Sequence, residues 1–295
     1  MKKTASGNYF RKCSHGKTAV VVIAVLLFVF QAAEARIGIM GAMDEEIGSL
    51  KKDMTVVKTE TTGNRTFYVG KCKGKDIVLV RSEIGKVNAA VTADILIREF
   101  KVDRIIFTGV AGAVDAKLQP GDILIATQLV QHDYGKLKGD AFTPWMLNMP
   151  EADGTTKKVF QFDTDPELVK LAFETAKRTK FKQINITLPG YKKRAPGVFK
   201  GIVATGDQFV ASARKREWLA GQFNASAVEM EGAAVAQVCA TYGVPFLVVR
   251  AMSDRADEVA EDTFNMVKDT AAENSALLVE NMLKGMKPDG AKAGK

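Results

Sequence analysis

The sequence predicts one α/β domain with a largely parallel or mixed sheet, and three observations carry that reading. Short apolar runs of strand length alternate with longer runs whose apolar residues recur at helical spacing. The central runs are apolar on both faces, as strands are when helices cover each side of a sheet. Gly-rich turns join strand to helix repeatedly, most plainly at Gly109-Val110-Ala111-Gly112. With 295 residues and 46% hydrophobic content the chain is long enough for one large core, and it contains no internal repeat.

The first 35 residues stand outside that domain. Lys2, Lys3, Arg11, Lys12 and Lys17 form a basic start, and residues 18–32 (TAVVVIAVLLFVFQA) form an apolar run. Ala33-Glu34-Ala35 follows, with small residues at the two positions a signal peptidase reads. The run is short for a membrane span, which favours a cleaved signal peptide over 1–35; an uncleaved N-terminal anchor is the alternative. Either places residues 36–285 on the far side of a membrane, as an exported periplasmic or secreted domain, with 286–295 as a flexible tail.

The leader holds five of the 42 Lys and Arg and one of the 34 Asp and Glu, so the remainder carries a net charge near +4. Nothing in that balance calls for nucleic acid. Past the leader only Cys72 and Cys239 remain: they can pair in an exported chain, and a buried free thiol at Cys239 is the competing reading. With His15 and His132 the only histidines, no metal site of His/Cys spacing is expected.

The elements follow in order. Residues 36–41 (RIGIMG) read as a buried strand, and a helix begins near Asp44 with Met43, Ile47, Leu50 and Met54 as its inward stripe. Strands follow at 65–71, 75–81 and 103–108, with an amphipathic helix over 86–100 between the last two. After Pro120-Gly121-Asp122 comes the apolar strand ILIATQLV. Residues 132–160 are polar and punctuated by Gly and Pro, so they read as a lid or insertion. Asp165-Pro166 is an N-cap with proline at the first helical position, starting a helix that runs to about residue 180. An irregular basic stretch at 188–200 leads to the strand GIVATGD. Residues 227–257 (AVEMEGAAVAQVCATYGVPFLVVRAMSDRAD) then hold a strand end, a helix and a fully apolar strand, and a last helix spans roughly 261–283.

In such sheets ligands gather beyond the strands' carboxyl ends. Five places lie there: the turn after 36–41, then 109–112, 206–210, 229–231 and 253–254. Glu46 projects on or beside the buried stripe of its helix. Spacing alone favours the plainer view that Asp44, Glu45 and Glu46 complement the positive helix start. Glu231 opens its helix in line with Val235, Val238 and Tyr242, which allows an inward carboxylate or another first-turn acid. Arg250 interrupts an apolar strand and shares parity with Asp254, which is either its neighbour at the sheet edge or a simple cap. Burying unpaired charge is costly, so three carboxylates and an arginine converging on one edge point to function. Two acids flanking a bond suit cleavage through an oxocarbenium-like transition state, one protonating the leaving group and one activating water.

IGIMGAMDEEI, IGKVNAA, GVAGA, TGDQF, VEMEGAAVAQV and VVRAMSDRAD occur in that order. Together they resemble the 5′-methylthioadenosine/S-adenosylhomocysteine nucleosidases of the purine nucleoside phosphorylase superfamily, over nearly all of residues 36–285. The resemblance implies a three-layer sandwich with a central mixed, largely parallel sheet flanked by helices. It implies an N-glycosyl hydrolase that releases adenine from methylthioadenosine, S-adenosylhomocysteine or 5′-deoxyadenosine, with no cofactor and no metal, acting as a homodimer on a small-molecule nucleoside. By the same resemblance Glu46 is the general base for water and Asp254 the acid that protonates N7 of adenine. Glu231 and Met230 hold the ribose, Arg250 positions the water and Glu46, and Phe209 stacks on the base while the Val210 backbone meets its edge. Met43 and Ile84 line the sugar and alkylthio side, and Ala111 and Gly112 belong to the pocket. A carboxylate at Glu46 repels phosphate, which favours hydrolysis over phosphorolysis.

The chain departs from the family in three ways. Val110 stands where a serine is usual; the 132–160 loop is longer, with Phe142 a candidate wall across a dimer interface; and the family's salvage enzymes work in the cytoplasm, without a leader. A phosphorylase or hydrolase of another purine nucleoside, and a non-catalytic nucleoside-binding protein of the envelope, are the alternatives.

Overall fold

A computed structural model describes residues 36–187 and 194–286. The expected leader, residues 188–193 of the basic stretch and nearly all of the tail lie outside the described residues.

The chain begins with β1 (Ile37–Gly41), all five residues buried, and turns directly into α1 (Asp44–Asp53). Next come β2 (Thr55–Thr62), β3 (Arg65–Cys72) and β4 (Lys75–Arg81), then α2 (Lys86–Arg98), β5 (Arg104–Ala113) and β6 (Ile123–Gln131). Four short strands follow: β7 (Gly135–Lys138), β8 (Ala141–Pro144), β9 (Leu147–Pro150) and β10 (Thr156–Val159). The rest is β11 (Phe162–Asp163), α3 (Pro166–Ala176), β12 (Val198–Thr205), α4 (Ala213–Phe223), β13 (Ala225–Glu229), α5 (Gly232–Tyr242), β14 (Phe246–Asp254) and α6 (Ala260–Gly285).

Helices cover both faces of the main sheet. Ile47 and Leu50 of α1, Leu168 and Ala172 of α3, and Val267 and Leu278 of α6 pack on one face. Ala89 and Ala93 of α2 and Ala233 and Val235 of α5 pack on the other. All nine residues of β14 are buried, because it lies between these layers with a partner on each side.

The sheet is mixed, as expected, and differs from the expected largely parallel layer in its closure and in the number of its antiparallel pairings. Its order is β11-β6-β12-β13-β5-β1-β4-β3-β2, and β14 pairs parallel to β5 and antiparallel to β6, closing β6, β12, β13, β5 and β14 into a barrel-like ring. Parallel pairings (β1 with β4 and β5, β12 with β6 and β13, β14 with β5) are matched by antiparallel ones (β3 with β2 and β4, β6 with β11 and β14, β5 with β13). Closure removes two edges that would otherwise need covering.

Two segments differ from the sequence reading for physical reasons. β2 was not expected as a strand. It is an exposed edge whose two valines, Val56 and Val57, stay in solvent and give it no buried apolar face, and pairing with β3 is what makes it a strand. Residues 132–160 form two small antiparallel ribbons, β7–β8 and β9–β10, and the second buries Leu147 and Met149 against the core. Asp165 caps α3 as expected, its carboxylate accepting the Leu168 N–H at 2.8 Å, although the helix ends at Ala176. Cys72 and Cys239 are both buried and unpaired, in cores on opposite faces of the sheet.

Candidate active site

Glu46 sits in the first turn of α1 and is almost wholly buried (3% exposed). Both sequence readings of it hold. Oε2 accepts the N–H groups of Ala42 (2.5 Å) and Met43 (3.0 Å), satisfying the helix start as a capping carboxylate does. Oε1 reaches across to β5 and accepts the Val110 N–H at 2.9 Å. That bond is made by the backbone, so it survives the exchange of serine for valine, while the Val110 side chain adds apolar lining.

Arg250 is 1% exposed and stacks over the Phe107 ring, 4.2 Å from its centroid. Its ion pairs are with Glu229 (2.5 Å) and Glu231 (3.8 Å), and its charge also acts on Glu46. Glu46 meets it across Gly109: a Cβ there would lie 2.6 Å from Glu46 Oε1 and 2.8 Å from Arg250 Nη1. Only glycine leaves room for a carboxylate and a guanidinium to share that strand position.

Glu229, the last residue of β13, organises this corner, and sequence reasoning gave it no role. Oε2 accepts the N–H groups of Gly232 (2.7 Å) and Glu231 (3.2 Å) as well as the Arg250 guanidinium, and Oε1 takes the Thr205 hydroxyl. The available signal was an acid ending an otherwise apolar strand. Glu231 stands at the N-cap position of α5 without capping it and turns its side chain inward, Oε1 accepting the Gly85 N–H at 2.9 Å.

Asp254 ends β14. The expected shared parity with Arg250 fails, because the register with β5 shifts between Met252 and Asp254 and Ser253 is the extra residue. Ser253 Oγ donates to Asp254 Oδ2 (2.7 Å), and the Ala256 N–H donates to Oδ1 (2.8 Å). Ala256 holds φ at +49°, a left-handed conformation unfavourable for alanine that aims this N–H at the carboxylate. Gly112 of β5 leaves the space, since a Cβ would stand 2.8 Å from Oδ1.

Glu46 is therefore seated at Gly109–Val110 and Asp254 at Gly112 along one strand, roughly 7–10 Å apart at the usual rise per residue. Both carboxylates line the same cavity, on opposite sides of which two acids can flank a bond.

The environments differ. Burial raises the Glu46 pKa, against the opposing pull of Arg250 and the three backbone donors. Burial pushes Asp254 up to about 6, offset in part by the Ser253 hydroxyl and the Ala256 N–H. Glu231 is raised by burial and then by the neighbouring Glu229 charge. Burial works against the Arg250 charge, and Glu229, Glu46 and Glu231 outweigh it.

Every expected site residue except Arg250 lines one cavity that opens to solvent. Met43, Ile84 and Met230 form apolar walls around Glu46, Glu231 and Asp254, while Ala111 and Gly112 make the floor beside β5. Val210 is buried, and Phe209 is half-exposed with its ring edge-on to Phe264 at 5.7 Å. Phe264 went unrecognised because an aromatic on a long helix reads as core. Phe142 packs on Trp218 of its own chain, and the 132–160 ribbons do not line this cavity. Among the described residues no group of three or more His, Cys, Asp or Glu is placed to hold a metal ion.

Buried acids around an apolar pocket in a helix-covered mixed sheet match a known family. Residues 36–284 match the phosphorylase superfamily, and the chain belongs to it. Within it, the chain is 38% identical over 255 residues to the 5′-methylthioadenosine/S-adenosylhomocysteine nucleosidase of Marinomonas sp. (strain MWYL1), covering 84% of this chain and 98% of that one. It is 39% identical over 247 residues to the aminodeoxyfutalosine nucleosidase of Campylobacter jejuni subsp. jejuni, covering 84% and 97%. A solved structure of the Neisseria meningitidis 5′-methylthioadenosine/S-adenosylhomocysteine nucleosidase, in complex with methylthio-immucillin-A, superposes with a TM-score of 0.70 at 36% identity over 85% of this chain and 99% of that one. The futalosine hydrolase of Helicobacter pylori strain 26695 gives 0.72 at 35% identity, over 86% and 99%.

Proposed function

We propose that the protein is an N-glycosyl hydrolase that releases adenine from 5′-modified adenosines such as methylthioadenosine, S-adenosylhomocysteine and 5′-deoxyadenosine. The observation that carries hydrolysis over phosphorolysis is electrostatic. Among the described residues lining the cavity there is no lysine or arginine, and Arg250 behind it is committed to Glu229 and Glu231. A phosphate would meet carboxylates without a free cation.

In this reading Asp254 gives its proton to N7 of the departing adenine and Glu46 takes one from water. Glu231 and Met230 grip the ribose. Phe209 stacks on the base, the Val210 backbone meets its edge, and Met43 and Ile84 face the 5′ side. Incubating the protein with methylthioadenosine, S-adenosylhomocysteine, 5′-deoxyadenosine, adenosine and inosine, with and without phosphate, tests it. Free base at equal rates in both conditions is expected; strict phosphate dependence sinks the hydrolase. Aminodeoxyfutalosine belongs in the panel, because the nucleosidases named for it match this chain as closely as the others do.

The pH profile follows from the two acids. Glu46 works ionised, so kcat/KM rises with pH through its elevated pKa. Asp254 works protonated, so kcat/KM falls above about 6, by about tenfold per pH unit. A flat profile from about pH 5 to about 8 in steady-state assays removes Asp254 from the acid's role.

Two further features belong to this reading. The leader, with its basic start, apolar run and Ala33-Glu34-Ala35, supports an exported enzyme, cleaved or held by an anchor. The exposed Val87 and Val91 on α2, beside Ile84 at the cavity mouth, support a homodimer.

A further inference from the structure

Two walls of the cavity come from segments far apart in the chain. The turn 84–86 carries Ile84 at the mouth and donates Gly85 N–H to Glu231; the segment 206–210 carries Phe209 and Val210. Charged side chains outside the cavity join them. α2 starts without a cap of its own, since Gly85 at φ +102° stands at the N-cap and has no side chain to offer. Asp207 supplies the missing acceptor, Oδ1 taking the Lys86 N–H at 2.8 Å. Lys86 Nζ reaches Asp133 Oδ1 at 2.6 Å and Gln131 Oε1 at 3.2 Å. Asp133 closes the circuit, its Oδ2 accepting the Asp207 N–H at 2.8 Å.

The Lys86–Asp133 pair is sheltered, its side chains 18% and 16% exposed, whereas the two contacts of Asp207 lie at the surface; each is charge-assisted. That pair at the centre of the ring therefore differs from a solvated surface pair, which contributes little. The neighbouring His132 is fully buried and packs on Gly206, where a Cβ would come within 2.4 Å of its Nε2. Burial, with the Lys215 charge, pushes His132 down to about 4, so it adds no competing charge at neutral pH. Lys86, Asp133 and Asp207 do not line the cavity.

We propose that Lys86, Asp133 and Asp207 form a clamp that sets the separation between the 84–86 turn and the 206–210 segment, and thereby how tightly a nucleoside is held. They are positioning residues. The inference rests on the nucleosidase reading for what each wall touches. Glu46 and Asp254 sit on α1 and β14, outside the clamp, so loosening it raises KM and leaves kcat in place.

The test compares wild type with Lys86→Met, which keeps the aliphatic stem, Asp133→Asn, the double variant and Lys86→Arg. Steady-state kinetics on methylthioadenosine are run beside calorimetric adenine binding and thermal unfolding. Each single change is expected to raise KM and the adenine Kd about tenfold with kcat within about twofold, the double no more than the worse single, since both remove one contact. Lys86→Arg should restore most of the affinity. An unmoved KM in Lys86→Met, effects that multiply in the double, or a fall in kcat alone overturns the clamp. If Asp133→Asn fails to fold, Lys86→Met and Lys86→Arg decide the question. A wild type that turns over no nucleoside refutes the hydrolase reading alone, and adenine binding then still reads the clamp.

Discussion

Replacing Asp254 with asparagine is expected to lower kcat by about 10²–10⁴-fold while the protein stays folded and binds adenine normally. The local bonding explains why the two effects separate. Asparagine Oδ1 can accept the Ala256 N–H as Asp254 does now. Its amide then faces Ser253 Oγ, and a serine hydroxyl accepts as readily as it donates. Ser253 Oγ keeps an acceptor for its own proton in the Ala111 carbonyl at 3.3 Å. Shape and packing survive and only the transferable proton is lost. Single-turnover rates measured beside adenine affinity check this; unchanged turnover refutes the assignment of Asp254 as the acid.

Glu46→Gln should behave differently, and the contrast is informative. Both Glu46 oxygens accept backbone N–H groups, from Ala42 and Met43 on one side and Val110 on the other. Glutamine has one acceptor oxygen, so whichever way it lies, its amide meets a buried N–H donor that loses its partner. That costs about 1–3 kcal/mol of stability, on top of a kcat loss of about 10²–10⁴-fold from removing the base. Denaturant melts and kcat measured on one preparation read the two effects. Retention of both wild-type stability and wild-type turnover means that Glu46 is neither the base nor the lock between α1 and β5.

The fold class and most of the pocket were legible in the sequence, because the signals are local. Apolar runs mark β1, β4, β5 and β14, since strands covered on both faces need no polar side. Asp165-Pro166 marks the start of α3 through capping alone. Charges in apolar surroundings flagged Glu231, Arg250 and Asp254, because an unpaired buried charge has to be explained. β2 escaped notice because its strand character comes from its neighbour. Glu229 was passed over because its importance lies in four partners, Thr205, Glu231, Gly232 and Arg250, that are remote or merely backbone.

By itself, then, the sequence marked Glu231, Arg250 and Asp254 as candidate inward charges, and determined that helices cover a central sheet and which family's motifs the chain carries. Tertiary structure alone decided how those charges are shared. It closed the sheet through β14, so that β5 seats both Glu46 and Asp254. It inserted Ser253 as an extra residue and so turned Asp254 away from Arg250. It paired Arg250 with Glu229, leaving the cavity lining without a cation. The physical reason is range. Propensity, capping and patterning act within a few residues, whereas a buried carboxylate takes its partner, and with it its protonation, from whichever strand packs beside it.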